Sequence, residues 1–107
     1  MSDTVSVSYP LVSIVIRSMD RATLQDALDS VSAQTYPNIE VVLVNAKGAD
    51  HRQVGGLCGR FPLRFIDAGE RLSRSRAANM GLDAAHGEYL MFLDDDDWFE
   101  PDHVQKL

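Results

Sequence analysis

Glu88–Asp102 reads EYLMFLDDDDWFEPD. A short apolar run, Tyr89–Leu93, enters four consecutive carboxylates, and the chain then turns apolar again. Four adjacent aspartates repel one another and form helix and strand poorly. They require either compensating cations or full solvation. The run before them, Glu88–Leu93, is expected to be a strand. Pro101 after them suits the first turn of a final helix. That helix has room for only about two turns before Leu107, an ending expected of a cut chain rather than a finished one.

Upstream, Leu11–Arg17 (LVSIVIR) is a β-branched run without helical periodicity, as expected of a strand buried on both faces. Asp20 or Thr23 can cap a following helix, with Asp26 three residues after Thr23 as a weak capping box. Leu24, Leu28 and Val31 share one face of it. Tyr36-Pro37-Asn38 ends the helix, and Ile39–Val44 (IEVVLV) is a second buried strand. Asp50–Gly59 predicts a short helix broken by Gly55-Gly56, followed by a short third strand, Leu63–Ile66. Ser73 can cap a further helix in which Ala78, Leu82 and Ala85 line one face and Gly87 supplies the C-terminal cap.

Strands and helices therefore alternate, with Glu88–Leu93 as the fourth strand. Parallel strands need crossovers, and right-handed crossovers place helices on both faces. The expected fold is an α/β, Rossmann-like parallel sheet of order 3-2-1-4, as one domain over residues 11–107 behind an N-terminal tail, residues 1–10. In such sheets ligands bind beyond the carboxyl ends of the strands, where strand order reverses. In this order the aspartates after strand four and Arg17-Ser18 after strand one are neighbours at that point.

The formal charge of −6 is unevenly placed. Residues 1–87 carry nine acids and nine bases, whereas residues 88–107 carry seven acids against Lys106 alone. That balance argues against nucleic acid as a partner, since neutralisation of phosphates by Lys and Arg supplies most of that affinity. A focused acidic run points to a cation instead. Cys58 is the single cysteine, so no intrachain disulfide forms and a cytoplasmic location is expected. The N-terminus lacks the regions of a signal peptide, and no apolar run approaches the roughly 20 residues of a membrane span.

Neighbouring carboxylates raise each other's pKa unless a cation intervenes. Oxygen ligands with open positions suit Mg²⁺ or Mn²⁺, which also bind substrate phosphates. Alternate residues of an extended segment point the same way, so Asp94 and Asp96 converge while Asp95 faces elsewhere. The plain alternative is a solvated acidic loop.

Gly87–Asp102, GEYLMFLDDDDWFEPD, resembles the DxD region of the family 2 glycosyltransferases of GT-A fold, roughly GEYIxFLDxDDxxxP. Arg76–Leu82 (RAANMGL) resembles the helix before it, A-R-N-x-G, and Asp26–Pro37 (DALDSVSAQTYP) resembles the block ALxSVxxQTYP. The likeness covers Val12–Leu107. It implies a truncated GT-A domain, the nucleotide-sugar-binding half of an enzyme that transfers a sugar from a nucleotide-diphosphate sugar to an unidentified acceptor hydroxyl, with inversion. Asp94 and Asp96 would hold the metal on the diphosphate, and Asp95 would reach the ribose. Arg76 would offer a guanidinium to the phosphates near its helix N-terminus. The general base is expected beyond residue 107, the fragment is expected to be inactive alone, and the face where a second half docks is expected to favour homo-oligomers.

The chain departs from the family pattern in places. P-T-Y-N after strand one is Arg17-Ser18-Met19-Asp20, where Ser18 keeps a hydroxyl near the base. A pair of aspartates after strand two is Asn45-Ala46, and Asn45 offers an amide to a base edge. Arginine of A-R-N-x-G is Ala78, with Arg76 two residues earlier. Trp98 and Phe99 are expected to be packing anchors, Gly81 a close-packing position, and His51, His86 and His103 not to bind metal. A P-loop enzyme is excluded by the missing G-x-x-x-x-G-K-[ST]. A receiver-like domain fits poorly with Arg17-Ser18 at the first strand end. A non-catalytic relic that holds a metal or partner is the alternative function.

Overall fold

A computed structural model of the protein describes residues 8–107, so residues 1–7 of the expected tail lie outside the described residues. The elements are β1 (Val12–Ser18), α1 (Leu24–Ser32), β2 (Ile39–Asn45), β3 (Leu57–Cys58), β4 (Phe61–Asp67), α2 (Arg74–Ala84) and β5 (Tyr89–Asp94). They form one sheet of order β3-β4-β2-β1-β5. The four long strands are parallel and stand in the expected order. What the sequence reading lacked is β3, a two-residue strand that pairs antiparallel with β4 at the sheet edge.

Asp50–Gly59 is not a helix: it contains no helical residue and leads into β3. Two successive glycines withdraw the helical preference of this stretch, and Gly59, at φ +59°, turns the chain back into β4. Cys58 packs here as a small, buried member of the α1-side core. Burial, and secondarily Asp29, push its thiol up to about 11.

Alternation along the strands sorts the core into two layers. Val12, Ile14 and Ile16 of β1, Val41 and Leu43 of β2 and Leu63 of β4 face α1. Val15, Val42 and Val44 lie on the other face, with Ala77 of α2. Each fully buried Val, Leu or Ile contributes about 1.5–3 kcal/mol relative to exposure. Because helices cover both faces, β1 and β2 read as continuous apolar runs rather than alternating ones.

Helix α1 keeps its expected face with Ala27 added, whereas α2 is rotated from its own. In α1 the buried positions are Leu24, Ala27 and Val31, while Leu28 is only partly buried. Thr23 precedes α1 with helical backbone angles and no side-chain cap, so the capping box with Asp26 does not form. Ser73 does cap α2, accepting the Arg76 N–H at 3.2 Å. The buried residues of α2 are Ala77 and Gly81 rather than Ala78, Leu82 and Ala85, and Leu82 is 47% exposed. Gly81 sets this orientation: the helix approaches β1 on its smallest residue, as close packing requires.

Gly87 is not the α2 cap, because Ala85 already has extended backbone angles. Instead Gly87 abuts β1 so closely that a Cβ there would stand 2.5 Å from Ser13 Oγ. The same region contains a buried acid. Glu40 accepts from Ser13 Oγ at 2.5 Å, from the His86 N–H at 2.6 Å and from Arg64 at 3.0 Å. Burial pushes its carboxyl up, but these donors outweigh burial and hold it below the ordinary glutamate value. The cluster ties the α2–β5 connection to the sheet.

After β5 the expected final helix is absent. Residues 101–106 form successive turns, held where Val104 N–H donates to Gln34 Oε1 at 3.0 Å and Gln34 Nε2 donates to Glu100 O at 2.6 Å. Val104 joins the α1-side core. Among the described residues no helix is long and apolar enough to cross a membrane.

Candidate functional site

Strand register decides what meets at the carboxyl end of the sheet. Ser18 lies opposite Asn45, and Arg17 lies opposite Asp94. The aspartates therefore emerge beside the tip of β1, at the point where strand order reverses.

Asp94 and Asp96 share one side and Asp95 takes the other, as alternation predicts, while Asp97, beyond the end of β5, joins the first pair. Asp94 accepts from Arg17 Nε at 3.4 Å through Oδ1 and from Arg74 Nη1 at 2.9 Å through Oδ2. Burial pushes the Asp94 carboxyl up, but Arg74 and then Arg17 outweigh it and hold it below the usual aspartate value. Asp95 turns inward and is fully buried. Its Oδ2 accepts the N–H groups of Met19 at 2.7 Å and Arg21 at 3.2 Å, and its Oδ1 accepts from Arg21 Nη1 at 3.1 Å. Asp96 and Asp97 are exposed, and Arg21 Nη1 also lies 3.3 Å from Asp96 Oδ2. Three arginines thus supply the compensating charge that the aspartates require.

Carboxylate oxygens of Asp94, Asp96 and Asp97 all lie within 4.8 Å of one another. The set is purely oxygen, with two members open to solvent, which fits a hard divalent cation such as Mg²⁺ or Mn²⁺. No histidine takes part.

The other expected site residues lie outside the carboxylate cluster, with their polar atoms engaged inside the protein or in a surface ion pair. Ser18 is fully buried; its Oγ accepts the Asp20 N–H at 3.1 Å and lies 2.6 Å from His51 Nε2. His51 Nδ1 is 2.8 Å from the Arg52 carbonyl, which only accepts. Nδ1 is therefore assigned the proton, and Nε2 accepts the Ser18 hydroxyl. Asn45 is also fully buried. Its amide donates to Gly48 O and Asp67 Oδ1 and accepts from the N–H groups of Lys47 and Gly48. Arg76 pairs with Glu70 at 3.2 Å on the surface, apart from the aspartates. The helix N-terminus does present a guanidinium to the quartet, but it belongs to Arg74.

The structure therefore brings together Asp94 and Asp96, as expected, and adds Asp97, Arg17, Arg21 and Arg74. Arg17 was signalled by its place at the end of the first strand, and Arg74 by its position two residues before Arg76. Arg21 carried no signal, since its role depends on how the β1–α1 loop folds. In that loop Asp20, at φ +57°, accepts from Arg52 Nε at 2.5 Å. That hydrogen bond outweighs burial and lowers its carboxyl. Trp98 is no packing anchor: it is 63% exposed. Phe99 packs against the core instead and stacks on His103 at 4.4 Å.

A mostly parallel, Rossmann-like sheet with an acidic, arginine-lined strand end at its switch point defines the chain as a doubly wound α/β domain. Residues 13–107 match the family model described as Glycosyl transferase family 2, and the chain belongs to that family. It is 39% identical over 89 residues to the glycosyltransferase GlyA of Streptococcus pneumoniae, covering 78% of this chain and 12% of that protein. To the uncharacterized glycosyltransferase YwdF of Bacillus subtilis it is 34% identical over 97 residues, covering 90% and 36%. The fold is that of GT-A glycosyltransferases. Staphylococcus aureus TarS 1-349 superposes with a TM-score of 0.76 at 19% identity, over 90% of this chain and 30% of that one. Mannosyltransferase PcManGT from Pyrobaculum calidifontis, in complex with GDP-Man and Mn²⁺, gives 0.70 at 25% identity, over 86% and 29%. The chain spans little more than a third, at most, of the length of these relatives.

Proposed function

We propose that this chain supplies the donor-binding half of a metal-dependent, inverting glycosyltransferase that moves a sugar from a nucleotide diphosphate to an acceptor hydroxyl. One observation carries the reading: the clustered oxygens of Asp94, Asp96 and Asp97 at the strand-order reversal. In support, TarS is known in complex with UDP-GlcNAc and PcManGT with GDP-Man and Mn²⁺.

Asp94 and Asp96 would hold the ion, with Asp97 beside them. Bound there, Mg²⁺ or Mn²⁺ supplies Lewis-acid neutralisation of the diphosphate leaving group. Arg17, Arg21 and Arg74 raise the local positive potential that a departing diphosphate requires. Ser18, Asn45 and Asp95 act from behind the site, because their polar atoms already bond to the loops that form its walls. The lone buried Cys58 suits a reducing, cytoplasmic setting, and the open edge of β5 suits self-association.

A second reading, a non-catalytic relic, draws on one observation: both oxygens of Asp94 are engaged by arginines, so the acidic edge is already neutralised in part. Titration of the chain with Mn²⁺ and a panel of UDP- and GDP-sugars separates the two. Nucleotide binding that needs metal and disappears in Asp96→Ala supports the transferase. Indifference to every nucleotide, with and without Mn²⁺, leaves the relic.

A further inference from the structure

Asp94 has two oxygens and two guanidinium partners, and those partners are not equivalent. Arg17 is rooted in β1, directly opposite Asp94 in the strand register, with its side chain 16% exposed. Arg74 is the first residue of α2, and its side chain is 70% exposed. A cation that binds Asp94 is repelled by both guanidinium charges, and the repulsion is relieved if one of them moves away. The buried partner is held by the sheet, whereas the exposed one is held by little besides the ion pair itself.

We propose that Arg74 is an exchangeable ligand: it neutralises Asp94 until a divalent ion binds there, and the guanidinium so released takes a diphosphate oxygen of the donor. This inference rests on the proposed function and adds a residue to it. Arg74 is suited to both partners, since a guanidinium pairs with carboxylate and phosphate alike through the same fork of donors. Its place at the start of α2 strengthens the second half of the exchange. The N–H groups at that end attract negative charge, so a phosphate near Arg74 meets the helix terminus as well. Arg76 pairs with Glu70 and makes no contact with Asp94.

Exchange has a signature that simple binding lacks. As a competitor for Asp94, Arg74 weakens metal binding; as a phosphate ligand, it strengthens nucleotide binding. Removing it therefore moves the two affinities in opposite directions. In the 107-residue chain, Arg74→Ala is expected to tighten Mn²⁺ alone about threefold, the scale of an exposed ion pair. It is expected to weaken UDP, GDP or pyrophosphate in saturating Mn²⁺ about tenfold or more, the scale of a charged hydrogen bond. Electron paramagnetic resonance of free Mn²⁺ reads the first affinity and calorimetry reads the second. Arg74→Lys should recover part of the diphosphate affinity, and an unchanged circular dichroism melt for both variants shows that the fold is intact. If Arg74→Ala moves both affinities in the same direction, or moves neither, the exchange is refuted and the proposed function stands. If the unaltered chain binds neither Mn²⁺ nor any diphosphate, the proposed function fails and the exchange with it.

Discussion

Gly81 of α2 faces Val15 of β1 at a separation that no side chain would allow: a Cβ on Gly81 would lie 2.2 Å from Val15 Cγ1. Contact between the helix that carries Arg74 and the strand that carries Arg17 is thus made through a missing side chain. Gly81→Ala gains helix propensity but must push the helix off the sheet. A net loss of about 1–3 kcal/mol is expected from overpacking, read as a lower urea midpoint. Adding Val15→Ala should restore part of it, because the two positions share one contact. Additive losses in the double variant would show that the clash lies elsewhere.

Neighbouring aspartates are expected to fail in different ways. Asp95→Ala leaves the N–H groups of Met19 and Arg21 without their buried acceptor, and a loss of about 3 kcal/mol is expected in chemical denaturation. Asp96→Ala touches an exposed side chain and should stay within about 0.5 kcal/mol of the parent, while abolishing Mn²⁺ binding. Equal stability losses at the two positions would contradict this division.

Acid should unfold the protein partly through Glu40. Its carboxyl titrates lower in the folded chain than the ordinary value of 4.5, so the folded state favours the ionised form. That contribution is fully present above 4.5 and is lost as pH falls through the lowered folded value. Thermal melts between pH 7 and pH 3 should fall more steeply for the parent than for Glu40→Gln, which has no charge to lose. Parallel curves would remove Glu40 from the account.

His51 links the loop after β2 to the tip of β1 through Ser18, and its ring lies 4.9 Å from that of Phe65. His51→Ala should free this loop and raise its cleavage rate by a nonspecific protease several-fold, with less effect on the global melt. His51→Phe keeps a ring against Phe65 but loses the hydrogen bond, so an intermediate rate is expected. No change in either variant would assign the loop's order to Asp20 and Arg52 instead.

The parts of the fold that were legible in the sequence are those where one physical signal acts alone. β1 and β2 are β-branched runs covered on both faces, and nothing competes with that pattern. The face of α2 was misread because it packs through Ala77 and Gly81, whose smallness matters and whose hydrophobicity is slight. The short helix expected over Asp50–Gly59 does not form, because Gly55 and Gly56 remove the preference that it needs. At the site, the outward pair Asp94 and Asp96 follows from strand alternation. Ser18 and Asn45 show the opposite case: a sequence reveals what a side chain can donate or accept, but not whether the protein already uses it. Arg17 and Arg74 become visible only when the register puts both beside Asp94.

Among the described residues β5 is an outer strand of the sheet, and its stretch Tyr89–Leu93 carries no charge and no proline, with Tyr89 and Phe92 exposed. Nothing in that stretch repels an arriving strand. Pairing of two copies along β5 is therefore expected to grow with sample concentration, and light scattering across a dilution series checks it.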